Sequence, residues 1–121
     1  MSEPKKILCV EDDPDSCELL ELLLGNEGFE VVACSDSQKA LKLAKQKHFS
    51  AIILDHRLAD ISGVEICCQI RTYDQQTPII FYSCAAFPQE IEAGLAAGAN
   101  AYLIKPSDLV KIADTVNGLI S

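Results

Sequence analysis

Five short apolar runs at regular intervals constrain this chain more than any other feature of it. They are Ile7 to Val10, Val31 to Cys34, Ala51 to Leu54, Ile79 to Tyr82 and Ala101 to Ile104. Each is short, continuous and rich in branched or aromatic side chains, the pattern of strands buried on both faces. The stretches between them carry helical spacing instead. Residues 14–27 place Cys17, Leu20, Leu23 and Leu24 on one side, residues 37–47 place Ala40, Leu41 and Ala44 together, and residues 63–73 group Val64, Cys67 and Ile70. Residues 88–97 offer Ile91 and Leu95, and residues 109–120 offer Leu109, Ile112, Val116 and Leu119.

The punctuation agrees with that alternation. Asp13 before Pro14 is an N-cap followed by proline at the first helical position. Ser35 with Gln38 and Ser62 with Glu65 match the capping box, and Asp108 is placed to cap the last helix. Gly28 and Gly98 fall where helices end in a left-handed residue. Strands alternating with helices imply right-handed crossovers and a parallel sheet covered on both faces. The expected class is α/β, a doubly wound (βα)5 three-layer sandwich in one domain over residues 1–121.

Charge and cysteine content narrow the partners. Eighteen acidic residues against ten basic ones leave a net charge of −8, which opposes a grip on nucleic acid or an anionic membrane and favours a protein or a bound cation. The six cysteines show no C-x-x-C spacing, and His48 and His56 are not placed to complete a zinc site. They read as reduced core residues of a cytoplasmic protein, since no apolar run is long enough for a signal peptide or a membrane span.

In open α/β sheets ligands bind just beyond the carboxyl ends of the strands. Glu11, Asp12 and Asp13 follow the first strand, Asp55 the third, Ser83 stands at the end of the fourth, and Lys105 with Pro106 follows the fifth. Converging carboxylates repel unless a cation neutralises them, and hard oxygen ligands with open positions suit Mg²⁺. A lysine and a hydroxyl beside them can hold the remaining oxygens of a phosphoryl group moving onto a carboxylate. Blander readings stand beside this one. Asp13 and Asp15 read as complements to a helix dipole, Asp55 taken alone as a cap, and Lys105 alone as a loop lysine. Convergence on one sheet edge favours the chemical reading.

Over about residues 5–120 the chain resembles the receiver domain of two-component response regulators, the CheY-like form of the flavodoxin-like fold. The resemblance implies strand order 2-1-3-4-5. It casts Glu11 and Asp12 as the acidic pair, Asp55 as the phosphoacceptor, Ser83 as the hydroxyl residue, Lys105 with a cis Pro106 as the lysine, and Tyr102 as the aromatic switch. It further implies Mg²⁺ bound by Asp12, Asp55 and the backbone carbonyl of Arg57, with Glu11 acting through water. The departures lie in the loop after Asp55, where the family commonly shows Asp-x-x-Met-Pro-x-x-Asp-Gly. Leu58, Ala59 and Ser62 replace methionine, proline and the second aspartate, while Gly63 is kept. Arg57 places a cation beside the site and is expected to alter phosphoryl lifetime. Ala85 offers no side chain to position a hydrolytic water, and Cys84 reads as packing. His56 reads as a bystander, because neighbours at a strand end do not point together.

By this resemblance the chain takes a phosphoryl group from a sensor histidine kinase or a His-phosphotransfer protein onto Asp55. It catalyses only its own phosphorylation and dephosphorylation, and is otherwise no enzyme. Ser83 and Lys105 are drawn to the phosphoryl oxygens and Tyr102 follows inward, which switches a surface of the fourth helix, fifth strand and fifth helix for a downstream protein. A stand-alone protein and a piece of a longer regulator fit equally well. Two rivals remain at this point: a pseudo-receiver that binds partners without phosphorylation, and a Mg²⁺-dependent phosphatase.

Overall fold

The computed structural model describes residues 4–120. Strands β1 (Lys6–Val10), β2 (Glu30–Cys34), β3 (Ala51–Leu54), β4 (Ile79–Ser83) and β5 (Ala101–Ile104) alternate with helices α1 (Pro14–Asn26), α2 (Ser37–Gln46), α3 (Gly63–Arg71), α4 (Pro88–Ala96) and α5 (Ile112–Ile120). They form one parallel sheet in the order β2-β1-β3-β4-β5, as expected.

Each strand splits its side chains between two cores, because successive residues face opposite sides of a sheet. Leu8 and Val10 of β1 face Ala40 of α2 and Ile66 and Ile70 of α3, whereas Ile7 and Cys9 face Leu20 and Leu24 of α1 and Ile112 and Val116 of α5. The continuous apolar runs in the sequence reflect this double burial. β3 and β4 are buried at every position.

The helix ends show where local signals hold and where they yield. Asp13 caps α1 and Ser62 caps α3, and Gly28 and Gly98 adopt φ of 90° and 115°. The cap of α2 is Asp36 and not Ser35, since β2 ends at Cys34 and the Asp36 carboxylate accepts from the amides of Gln38 and Lys39. Asp108 gives no side-chain cap. Its carboxylate turns back to the Ile104 amide at the end of β5 (2.8 Å), and α5 starts instead through a 3₁₀ turn at Leu109–Lys111. All six cysteines are free. Cys9, Cys34 and Cys67 are buried as expected, but Cys68 and Cys84 are exposed. Cys84 therefore does not pack in the core: buried Ser83 turns into the sheet edge, and alternation sends its neighbour outward.

Candidate functional site

Strand register builds the site. Val10 pairs with Leu54, so Glu11 and Asp55 leave adjacent strands at the same level. Ser83 pairs with Ile104, so Lys105 emerges beside it, and the Lys105 amide donates to the Ser83 carbonyl (2.9 Å). The Lys105–Pro106 peptide is cis.

Each carboxylate is held by backbone amides. Glu11 is buried, and its Oε2 accepts from the amides of Asp12 (3.0 Å) and Asp13 (3.3 Å). Asp12 is exposed, and its Oδ2 accepts from the Ala59 amide (3.2 Å). The Asp55 amide donates to the Val10 carbonyl (3.1 Å), while Oδ1 accepts from the Arg57 amide (3.2 Å). One oxygen from each of Glu11, Asp12 and Asp55 lies within 4.8 Å of the other two. Asp13 stands apart, spent on capping α1 through Asp15 and Ser16.

Lys105 ties the cluster together. Its Nζ contacts Glu11 Oε1 and donates to Asp55 Oδ2 (3.1 Å). Burial pushes the Glu11 carboxyl up to about 6, against the pull of the Lys105 contact. For Asp55, burial acts in the same upward direction, but hydrogen bonds with Glu11 and Ser83 and the charge of Lys105 outweigh it, holding that carboxyl below its ordinary value. Burial would lower Lys105, yet its hydrogen bond to Glu11 and the nearby Asp55 charge drive it up to about 12. Two neighbouring carboxyls are thereby pushed apart, Glu11 upward and Asp55 downward.

The loop after Asp55 is shaped by Gly63. Its amide donates to the His56 carbonyl (2.9 Å), and a Cβ there would stand 2.1 Å from the Asp55 carbonyl oxygen. Leu58 and Ile61 pack onto the α2–α3 side of the core, and the Asp60 carboxylate accepts from both the amide and the hydroxyl of buried Ser37. Proline at position 59 would lack the amide that Ala59 gives to Asp12.

Two side chains go elsewhere than expected. The Arg57 guanidinium is not aimed at the acceptor. It pairs with Glu90 of α4 (2.9 Å), whose other oxygen accepts from the Phe87 amide. Tyr102 points inward: its hydroxyl donates to the Ala85 carbonyl (2.6 Å) and its ring stacks on Phe81 (centroids 5.2 Å apart). His56 faces away from Asp55, as alternation requires, but lies 2.9 Å through Nδ1 from the Tyr102 hydroxyl. Sequence reasoning missed Asp60, Glu90 and this role of His56. Only Glu90, in the first turn after Phe87 and Pro88, left a local signal, that of a helix N-terminus.

Comparison with known proteins supplies the family. The response regulator receiver domain profile matches residues 7–117. Response regulator ArlR of Staphylococcus aureus strain USA300 is 36% identical over 115 residues, which are 95% of this chain and 52% of that protein. The chain thus spans about half the length of the curated relatives it matches. Among solved structures, the receiver domain of sensor histidine kinase PA1611 from Pseudomonas aeruginosa PAO1, with magnesium coordinated in its active-site cleft, is 29% identical (TM-score 0.88, covering 97% of this chain and 98% of that one). Chemotaxis protein CheY4 of Vibrio cholerae is 26% identical (TM-score 0.87, covering 96% and 98%). With the sheet order, the acidic cluster and Lys105 all in their places, this chain belongs to the response regulator receiver domain family.

Proposed function

We propose that this receiver accepts a phosphoryl group on Asp55 from a phosphohistidine donor, a sensor histidine kinase or a His-phosphotransfer protein. The observation that carries this is the setting of Asp55: one oxygen on Lys105 and the other on the Arg57 amide, at the rim of a carboxylate cluster, contacts that hold its carboxyl below its ordinary value. In the transfer a carboxylate oxygen of Asp55 attacks phosphorus, the O–P bond forms as the N–P bond of the donor breaks, and the leaving imidazole takes up a proton.

The chain's own groups are arranged for that step. Lys105 supplies positive charge that phosphoryl oxygens share as charge on Asp55 is spent. Buried Ser83 stands beside Asp55 as the hydroxyl partner of the incoming group. The donor set fits a hard divalent cation: all oxygens, from Glu11, Asp12 and Asp55, with exposed Asp12 leaving the cluster open to water. Asp12 and Asp55 would hold Mg²⁺, with the Arg57 carbonyl and with Glu11 through water, and the ion would neutralise charge on the phosphoryl oxygens.

Asp55 turns over no separate substrate in this reading; phosphorylation and its reversal act on the protein itself. The output runs through α4, β5 and α5, where Leu95 of α4, Phe87 just before that helix and Val110 in the 3₁₀ turn before α5 are exposed to a downstream protein. With a net charge of −8, the chain as a whole suits a protein partner better than nucleic acid. Among the described residues no helix is long and apolar enough to cross a membrane, and the free thiols suit the cytoplasm.

The test is intact mass after incubation with acetyl phosphate and Mg²⁺, beside an Asp55→Asn variant. A gain of one phosphoryl group by the wild type alone supports the reading. No gain by either, with no spectral response to beryllofluoride, overturns it in favour of a phosphorylation-independent binding module.

A further inference from the structure

His56 leaves β3 on the side opposite Asp55, and its ring lies against two aromatic side chains. The His56 centroid is 5.8 Å from Phe81 and 6.0 Å from Tyr102. Its Nδ1 stands 2.9 Å from the Tyr102 hydroxyl oxygen. That hydroxyl has one proton, and it goes to the Ala85 carbonyl at 2.6 Å. The hydrogen between His56 and Tyr102 must therefore come from histidine, so Nδ1 carries the N–H. The Tyr102 oxygen is thus held by the β4–α4 loop and by the residue bonded to the phosphoacceptor, with the Ser83 hydroxyl beside it.

What Tyr102 does is felt by α4. A Cβ on Gly94 would fall 2.9 Å from two carbons of the Tyr102 ring, so helix and ring are in the closest contact a glycine permits. Asp55 is thus joined to α4 by one peptide bond to His56, one hydrogen bond to Tyr102 and the contact of that ring with Gly94.

We propose that His56 is a positioning residue: it donates Nδ1–H to Tyr102 and holds the switch side chain inward. Its geometry stands alone, while its consequence for signalling rests on the receiver function proposed above. Loss of one such hydrogen bond should weaken binding of a phosphoryl mimic by about three- to tenfold, since apparent affinity falls with the population of the competent state.

Long-range ¹⁵N–¹H spectra of the imidazoles, recorded where histidine is neutral, test the contact directly. His56 should be the Nδ1–H tautomer in the wild type and should lose that preference in Tyr102→Phe. A wild-type His56 in the Nε2–H form overturns the proposal. Beryllofluoride titration with Mg²⁺, followed by NMR, tests the consequence. His56→Leu should bind three- to tenfold more weakly, His56→Asn, which keeps a donor near the same place, should restore binding to within about twofold, and His56→Leu should add nothing to Tyr102→Phe. An unaffected His56→Leu, or an equal loss with and without the Tyr102 hydroxyl, also overturns it. If the wild type itself ignores beryllofluoride, the receiver function fails, and the tautomer spectra still decide the contact.

Discussion

Replacing Gly63 with alanine asks the acceptor loop to make room for one methyl group. The added carbon would stand 2.1 Å from the Asp55 carbonyl oxygen and 2.9 Å from both the Asp55 carbonyl carbon and Phe81 Cε1. Side-chain carbons do not approach within 3.0 Å, so the backbone must part by 3.0 − 2.1 = 0.9 Å. No rotamer relieves it, because the obstacle is main chain that is itself tied down: Gly63 to the His56 carbonyl and Asp55 to the Val10 carbonyl. Overpacking of this kind costs about 1–3 kcal/mol, and the fixed obstacle places Gly63→Ala near 3. The urea midpoint should drop by about 1 to 2 M. A shift approaching 1 Å at the nucleophile should slow phosphorylation by acetyl phosphate about a hundredfold, beyond the loss of stability. Gly118→Ala is the internal control, since nothing lies within 4 Å of a Cβ in that helix; it should stabilise by about 0.5–1 kcal/mol. A Gly63→Ala protein with a wild-type midpoint and a rate within threefold of wild type would refute the packing argument.

Other consequences follow from the same geometry. The Glu11 carboxyl is raised from 4.5 to about 6 in the folded protein, so its contribution to stability is complete below pH 4.5 and lost as pH rises through 6. That is about 2 kcal/mol, read as the wild type minus Glu11→Gln difference in urea unfolding without Mg²⁺, whereas lowered Asp55 acts in the opposite sense, its contribution present above 3.8 and lost in stronger acid. Gly94→Ala should push the Tyr102 ring away from α4 and break its bond to Ala85, visible as altered Tyr102 ring resonances, with a smaller loss of midpoint than Gly63→Ala because the obstacles are the Tyr102 and Phe81 rings and not backbone. Arg57→Ala removes an ion pair whose cation is mostly exposed, so the urea unfolding midpoint should hold.

How far the sequence could be read depended on the range of the interaction involved. The strands were legible because double burial demands unbroken apolar runs, and the sheet edge converts strand order into proximity: Val10 against Leu54 is enough to bring Glu11 beside Asp55. The cap of α2 was misplaced by one residue because Ser35 and Asp36 are both good caps, and the choice is made by where β2 stops pairing with β1. Asp108 was misread because the free Ile104 amide, an outcome of strand pairing, outcompetes the helix start. His56 to Tyr102, Arg57 to Glu90 and Ser37 to Asp60 join residues 46, 33 and 23 positions apart, with no local spacing to betray them. Alternation kept His56 off the acceptor, but said nothing of what lay on the other side.

The central claim is that Asp55, and neither Asp12 nor Glu11, takes the phosphoryl group. Borohydride reduces an acyl phosphate to an alcohol, so treating the acetyl phosphate reaction mixture and mapping the peptides by mass converts the acceptor aspartate to homoserine and reports its position. The account predicts homoserine at position 55 alone, dependent on Mg²⁺. Reduction at Asp12 or elsewhere, or none in a folded protein that binds Mg²⁺, would contradict it.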